Sequence, residues 1–247
     1  MPPCVRRFER TIPVHVLERE ADLTRTQREG LGKIETLTLL GVAQETTTSI
    51  PATPATDRRI DAVLFVRASL GNTRALESTA TVVHACFPHP SVLILENARG
   101  DVCLSAALTS RRKRATGFAV NAMEADSDIG SWRRTEQGKA FLSSLAFETL
   151  DQRSLAHLTQ DIMARIRLAR VARLVGFYPD PGLCRTPDVV AVIERLLECQ
   201  GRQDRLRARW KAHGTTQRER LRLRIPLSEA IDQTKAAVDE LTRRCGR

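Results

Sequence analysis

The chain has 247 residues, 42% hydrophobic and 28% charged, which suits one large folded domain, or a domain with an appendage, and argues against disorder. Its formal net charge of +10 is unevenly spread: residues 1–150 carry 19 basic and 17 acidic residues, and residues 151–247 carry 20 and 12. The start, MPPCVRRFER, lacks the apolar core of a secretion signal, no run of about 18 apolar residues occurs, and the six cysteines include no Cys-x-x-Cys pair. A membrane span, a small disulfide scaffold and a paired-ligand zinc site are therefore excluded, and a cytoplasmic chain with reduced thiols is expected.

In chain order, residues 1–23 read as mixed and partly extended. Thr24 with Gln27 three residues on resembles a capping box, so a short helix is expected over TRTQREGLGK. KIETLTLLGV reads as a strand with Ile34, Thr36 and Thr38 on one side and Leu37 and Leu39 on the other. The Thr- and Pro-rich stretch 44–59 reads as a surface loop. IDAVLFVRASL, apolar on both faces, is a central strand, and Asn72 is expected to cap a helix reaching Phe87 that buries Leu76, Ala80 and Val83. Pro88 and Pro90 end that helix, SVLILEN starts a further strand, and DVCLSAALTS returns antiparallel to it after the turn at 98–101. A turn at RRKRAT leads into GFAVNAMEA, and the acidic run 124–132 closes this half.

The second half reads as helical. Leu155, Leu158, Ile162, Ile166, Ala169 and Ala172 form an apolar stripe with Gly176 placed to cap its end. Thr186-Pro187-Asp188 is a helix start: a capping hydroxyl, a proline at the first helical position and an acid at the positive dipole end. Val189, Val192, Leu196, Cys199, Gln203, Leu206 and Trp210 then recur at three and four, a coiled-coil seam. After a break at HGTTQ, Leu227, Ile231, Thr234, Val238 and Leu241 do the same, which predicts an intramolecular antiparallel hairpin.

That hairpin carries the strongest signal in the chain. Arg202, Arg205, Arg207, Arg209, Lys211, Arg218, Arg220, Arg222 and Arg224 stand against only Asp204 and Glu219. A phosphate polyanion is the commonest partner of such a surface, because each neutralised phosphate releases condensed counterions; a solvated, salt-bridge-laced helix is the plainer reading. Arg111, Arg112, Lys113 and Arg114 form a second basic cluster at a sheet turn, where a basic tip and basic helices could bracket a duplex or merely keep a hairpin soluble. With aromatics at 4%, and only Trp210 among these cations, backbone contact to duplex DNA is favoured over base stacking on single strands.

No catalytic residue, cofactor or metal ligand is assigned. Gly138-Lys139 lacks the rest of a phosphate loop. His84, Cys86 and His89 straddle a helix end and read as core packing and a turn. Glu124, Asp126 and Asp128, with Glu96, could supply carboxylates to a divergent metal-dependent nuclease, but the acid–x–Lys pair that activates water is missing, and a solvated loop explains the acidic run better.

The chain resembles an uncharacterised bacterial family, domain of unknown function 4391, through KIETLTLLGVAQETTTSIPATPATDRRIDAVLFVRASL, ACFPHPSVLILEN, Ser131-Trp132, FLSSLAFETLDQRSLAHLTQDIMARI and the closing Arg-rich helices. The resemblance implies a setting beside DNA methyltransferases and helicases in restriction or phage-defence clusters, and no catalytic residue. Pro226 departs from the family's continuous last helix, so a kink or a fresh helix start is expected there.

The expected fold is α+β: a mixed, mostly antiparallel sheet body with helices over residues 1–150, then a helical region over 151–247 ending in a basic hairpin. The expected role is a non-catalytic accessory subunit binding DNA backbone and a helicase or methyltransferase partner. The alternatives are an adaptor whose basic hairpin meets an acidic protein surface, and the nuclease.

Overall fold

The computed structural model describes residues 6–20, 23–53, 60–111 and 118–246. The fold is mixed α+β, with a six-stranded sheet whose strands lie in sequence order. The chain divides into two compact units, Met1–Ala169 and Arg170–Arg247. The division falls inside one long helix, whereas the expected boundary at 150/151 lies in the extended stretch before it.

In the first unit, β1 (Arg6–Thr11) and α1 (Val14–Glu20) precede α2 (Arg25–Leu31), whose start carries the expected Thr24–Gln27 capping box. The strand β2 (Ile34–Gln44) pairs antiparallel with β1 and with β3 (Ala62–Leu70). Ile34 and Leu37 are both buried, not on opposite sides as simple alternation predicts. The reason is a bulge: Ile34 pairs with Leu70 and Thr36 with Ser69, so Glu35 is the extra residue and the side-chain phase slips by one. The stretch read as a loop begins with a helical turn, α3 (Glu45–Thr48), which ends with Ser49 in the left-handed conformation, φ 60°.

The pairing of β3 with β4 (Ser91–Asn97) is parallel, and the crossover between them is α4 (Leu76–Ala85). Asn72 does not cap α4. The helix begins four residues later, and Asn72 Oδ1 instead accepts from Arg99 Nε at 2.6 Å. Strands β5 (Val102–Arg111) and β6 (Phe118–Asp126) complete the sheet antiparallel. The acidic run is not one loop: β6 extends to Asp126, and α5 (Ile129–Trp132) and α6 (Glu136–Ser144) follow, with Trp132 and Phe141 buried and their rings 5.7 Å apart.

The core lies between the sheet and the layer of α2 and α4, filled by Leu31, Leu37, Val66, Leu70, Val83, Leu93 and Leu95. At its centre sits a polar pin. His84 on α4 is fully buried, its Nδ1 2.6 Å from Ser91 Oγ and its Nε2 2.9 Å from Ser105 Oγ. The Ser105 hydroxyl donates to the Glu124 carbonyl at 3.0 Å, so it must accept from Nε2–H, leaving Nδ1 to accept from Ser91. Burial pushes the ring's pKa down to about 3, so the histidine is neutral and ties α4 to three strands.

Helix α7 (Leu155–Val175) buries the expected stripe from Leu155 to Ala172 and ends on Gly176 at φ 83°. Its first turn is tied to the β2–β3 connection: Leu155 N donates to the Pro51 carbonyl and Ala156 N to Thr53 Oγ1. Further along, Arg165 and Asp161 form a buried ion pair at 2.9 Å. The Arg165 guanidinium also donates to the carbonyls of Ser144 and Thr149, and the amide of Asp151 donates to Asp161 Oδ2 at 3.0 Å. One buried pair thereby fixes the whole connection between α6 and α7.

The second unit holds the last turns of α7, a 3-10 turn at Leu183–Arg185, α8 (Pro187–Lys211) and α9 (Gln217–Cys245). The contacts of Arg195 with Glu240 and of Gln203 with Thr234 make α8 and α9 an antiparallel hairpin.

Candidate nucleic-acid interface

The hairpin's two helices start and stop for local reasons. Pro187 occupies the first turn of α8 with Asp188 beside it, as expected, but Thr186 does not cap with its side chain: its hydroxyl donates to the Leu183 carbonyl at 2.9 Å. The connection turns on Gly214 at φ 95°, and Thr215 Oγ1 donates to the Arg209 carbonyl in the last turn of α8, which also accepts from Ala212 N. Helix α9 opens on a reciprocal capping box between Thr216 and Glu219. It continues through Pro226, so no fresh helix start occurs there; the proline removes the N–H that would have reached the Arg222 carbonyl.

The hairpin's two ends differ in packing. Near the base, Val189, Val192, Ile193 and Leu196 of α8 and Ala230, Thr234, Ala237, Leu241 and Cys245 of α9 are buried. The α9 seam is thus one residue out of step with the expected one in two places: Ala230 and Ala237 face inward, while Ile231 is 38% exposed and Val238 half-buried. Ala230 and Ala237, seven residues apart with Thr234 between them, present small side chains that let the two backbones come close. Beyond Gln203 in α8 and before Ala230 in α9, no residue of either helix is fully buried.

Charge follows the same division. At the base, Glu240 accepts from Arg195 and from Arg244, the latter at 2.8 Å, and the bond from Arg195 is the main cause holding its carboxyl below the usual range. Toward the tip, all nine sequence-picked cations, from Arg202 to Arg224, are exposed. Among the described residues none of these nine forms a salt bridge. Asp204 accepts from Gln200, and Glu219 is held by the capping bonds from Thr216, the chief cause of its lowered pKa, with Arg209 and Arg222 contributing through space.

Helical spacing sorts the cations into two stripes. Arg202, Arg205 and Arg209 share one side of α8, and Arg218 and Arg222 share the side of α9 that meets them near Glu219. Arg207 and Lys211 lie round the helix from the first set; with the Gln203 amide turned so that its nitrogen faces Thr234 Oγ1 at 3.2 Å, its oxygen takes the Arg207 guanidinium at 2.8 Å. Arg220 and Arg224 form the other stripe of α9. Arginines four apart on one helix repel, so each stripe carries an electrostatic cost that an incoming polyanion relieves.

The second basic cluster cannot be placed in the same way. Arg111 ends β5, paired through its backbone with Phe118, and Arg112, Lys113 and Arg114 lie outside the described residues. The carboxylates considered for a nuclease are engaged elsewhere: Glu124 accepts from Arg167 at 2.7 Å and 2.8 Å, Glu96 from Arg67 at 2.6 Å, and buried Asp126 from the Asp128 amide at 3.0 Å. Among the described residues, no three His, Cys, Asp or Glu side chains converge as metal ligands would. Burial pushes the thiols of Cys86, Cys103 and Cys184 up to about 12, which keeps them protonated at neutral pH.

Sequence reasoning passed over Leu221 and Ile225, which point outward at 62% and 69% exposure among the arginines of α9. Their signal was available, since neither falls on the seam spacing.

A family model, domain of unknown function (DUF4391), matches residues 3–230. No curated protein and no solved structure matches the chain.

Proposed function

We propose, for a chain that belongs to the domain of unknown function (DUF4391) family, a role as a non-catalytic accessory subunit of a DNA-targeting restriction or phage-defence system, working in the cytoplasm. In this reading the hairpin tip grips the backbone of duplex DNA through Arg202, Arg205 and Arg209 of α8 with Arg218 and Arg222 of α9, and the sheet body docks on a helicase or methyltransferase. The observation that carries it is the absence, among the described residues, of any salt bridge to the nine cations at the tip, in a hairpin whose base does pair its charges. Helices stabilised by their own ion pairs would show the pairing at both ends. No helix among the described residues is long and apolar enough to cross a membrane.

The test is duplex binding by the full chain carrying Arg202→Gln, Arg205→Gln and Arg209→Gln. Each lost phosphate contact reduces the log–log salt slope by about 0.9, so the triple variant should bind at least tenfold more weakly to unrelated sequences, with a slope shallower by about 2.7. Unchanged affinity and slope would sink the reading. Supercoiled plasmid with magnesium or manganese should stay intact; cleavage abolished by Asp126→Ala or Glu96→Ala would install the nuclease in its place.

A further inference from the structure

The side of the hairpin that carries Arg220 and Arg224 has a different character from the stripe assigned to DNA. There Trp210 of α8, 42% exposed, meets Leu221, Leu227 and Ile231 of α9 in an open groove of about 510 Å³, with Arg220 and Arg224 on its rim. Exposed apolar side chains collected in a groove mark an interaction site in a way that scattered ones do not. Along α9 the groove runs from Gln217 to Ile231, which at about 1.5 Å per residue is roughly 21 Å, the length of three to four helical turns.

We infer that this groove docks an acidic amphipathic helix of a protein partner. The apolar floor takes residues spaced at three, four and seven on the incoming helix, and Arg220 and Arg224 take carboxylates flanking them. Charge decides the occupant. The segment from Arg202 to Arg224 carries nine cations and two anions, so a second copy of this chain would bring the same positive field against itself, whereas an acidic helix is drawn in. The floor is independent of the proposed DNA contacts, because Leu221 and Ile231 are not among them.

The probe is a synthetic 18-residue helical peptide with leucines at three-and-four spacing and glutamates flanking them, titrated into the full chain. Trp132 is buried and Trp210 exposed, so a saturable blue shift of tryptophan emission reports covering of the groove. The double variant Leu221→Ser/Ile231→Ser, at exposed positions that leave the fold intact, should bind the peptide at least tenfold more weakly while keeping wild-type DNA affinity. Arg220→Glu/Arg224→Glu should lose the glutamate peptide and gain one with lysines in those places. The inference falls if the peptide gives no shift, or if a scrambled peptide of equal composition binds as well. It also falls if only phosphatidylserine vesicles move the emission, or if sedimentation shows that Leu221 serves a dimer instead.

Discussion

Arg165 and Arg205 are both arginines on long helices, yet their surroundings differ at every bond. Arg165 is buried, paired with Asp161, and donates to the carbonyls of Ser144 and Thr149. Arg205 is exposed and, like its eight neighbours at the hairpin tip, forms no salt bridge among the described residues. The body treats a buried charge as a structural joint and surrounds it with fixed partners, because an unpaired charge in a low-dielectric interior is costly. At the tip, water supplies the solvation, and the field of nine cations remains available to an outside partner. The same side chain holds the fold together in one region and is free to bind in the other.

The contrast can be broken at four points, taken from the largest effect downward. Asp161→Ala leaves Arg165 buried without its carboxylate and should cost about 3 kcal/mol or more, read from urea unfolding; a loss below about 0.5 kcal/mol would mean that the pair does not serve as a joint. His84 comes next. Its folded pKa of about 3 lies below the unfolded value of 6.5, so the denatured chain takes up the proton first. Its contribution is complete above pH 6.5 and is lost as pH falls through that window toward 3. His84→Gln should flatten this part of the stability profile, and an unchanged profile would place the acid sensitivity elsewhere. Glu240→Gln keeps an acceptor but removes the negative charge that Arg195 and Arg244 meet at the surface, so a small drop in Tm is expected that fades in high salt. Smallest is the tip itself: Arg202→Gln/Arg205→Gln/Arg209→Gln should change stability by no more than about 0.5 kcal/mol, even as DNA affinity falls. A large loss there would show that the arginines are structural after all.

Much of the fold was legible because its signals are local. SVLILEN, the turn at Asn97–Asp101 and the returning DVCLSAALTS need only alternation and turn chemistry, and the structure pairs them as read. The Thr24 box held because both partners lie within one turn. What failed depended on a competing partner, near or far in the chain. Thr186 gives its hydroxyl to Leu183, Asn72 is taken by Arg99, and Glu35 is squeezed out by the register of β3. The α9 seam went astray because hydrophobicity favours Ile231 over Ala230, while close helix approach favours the smaller side chain. At the candidate site the cations were plain in the sequence. Their lack of salt bridges was not, because whether Glu219 meets an arginine or its own helix cap depends on side-chain geometry. Leu221 and Ile225 hid in an alternating Arg–Leu run that reads as charge alone.

The bond from Ala156 N to Thr53 Oγ1 joins residues 103 positions apart, and its neighbour from Leu155 N reaches Pro51 in the same connection. Closing a loop of that length carries an entropic cost that only the finished sheet can offset. The helix can coil from its own sequence, and His157 N finds a local acceptor in Ser154 Oγ, but the N–H groups of Leu155 and Ala156 find theirs on the β2–β3 connection, where Thr53 bridges to Ile60. The seating of α7 therefore raises the contact order of a chain whose strands otherwise pair with their neighbours in sequence. During synthesis all six strands of the sheet leave the ribosome before α7 does.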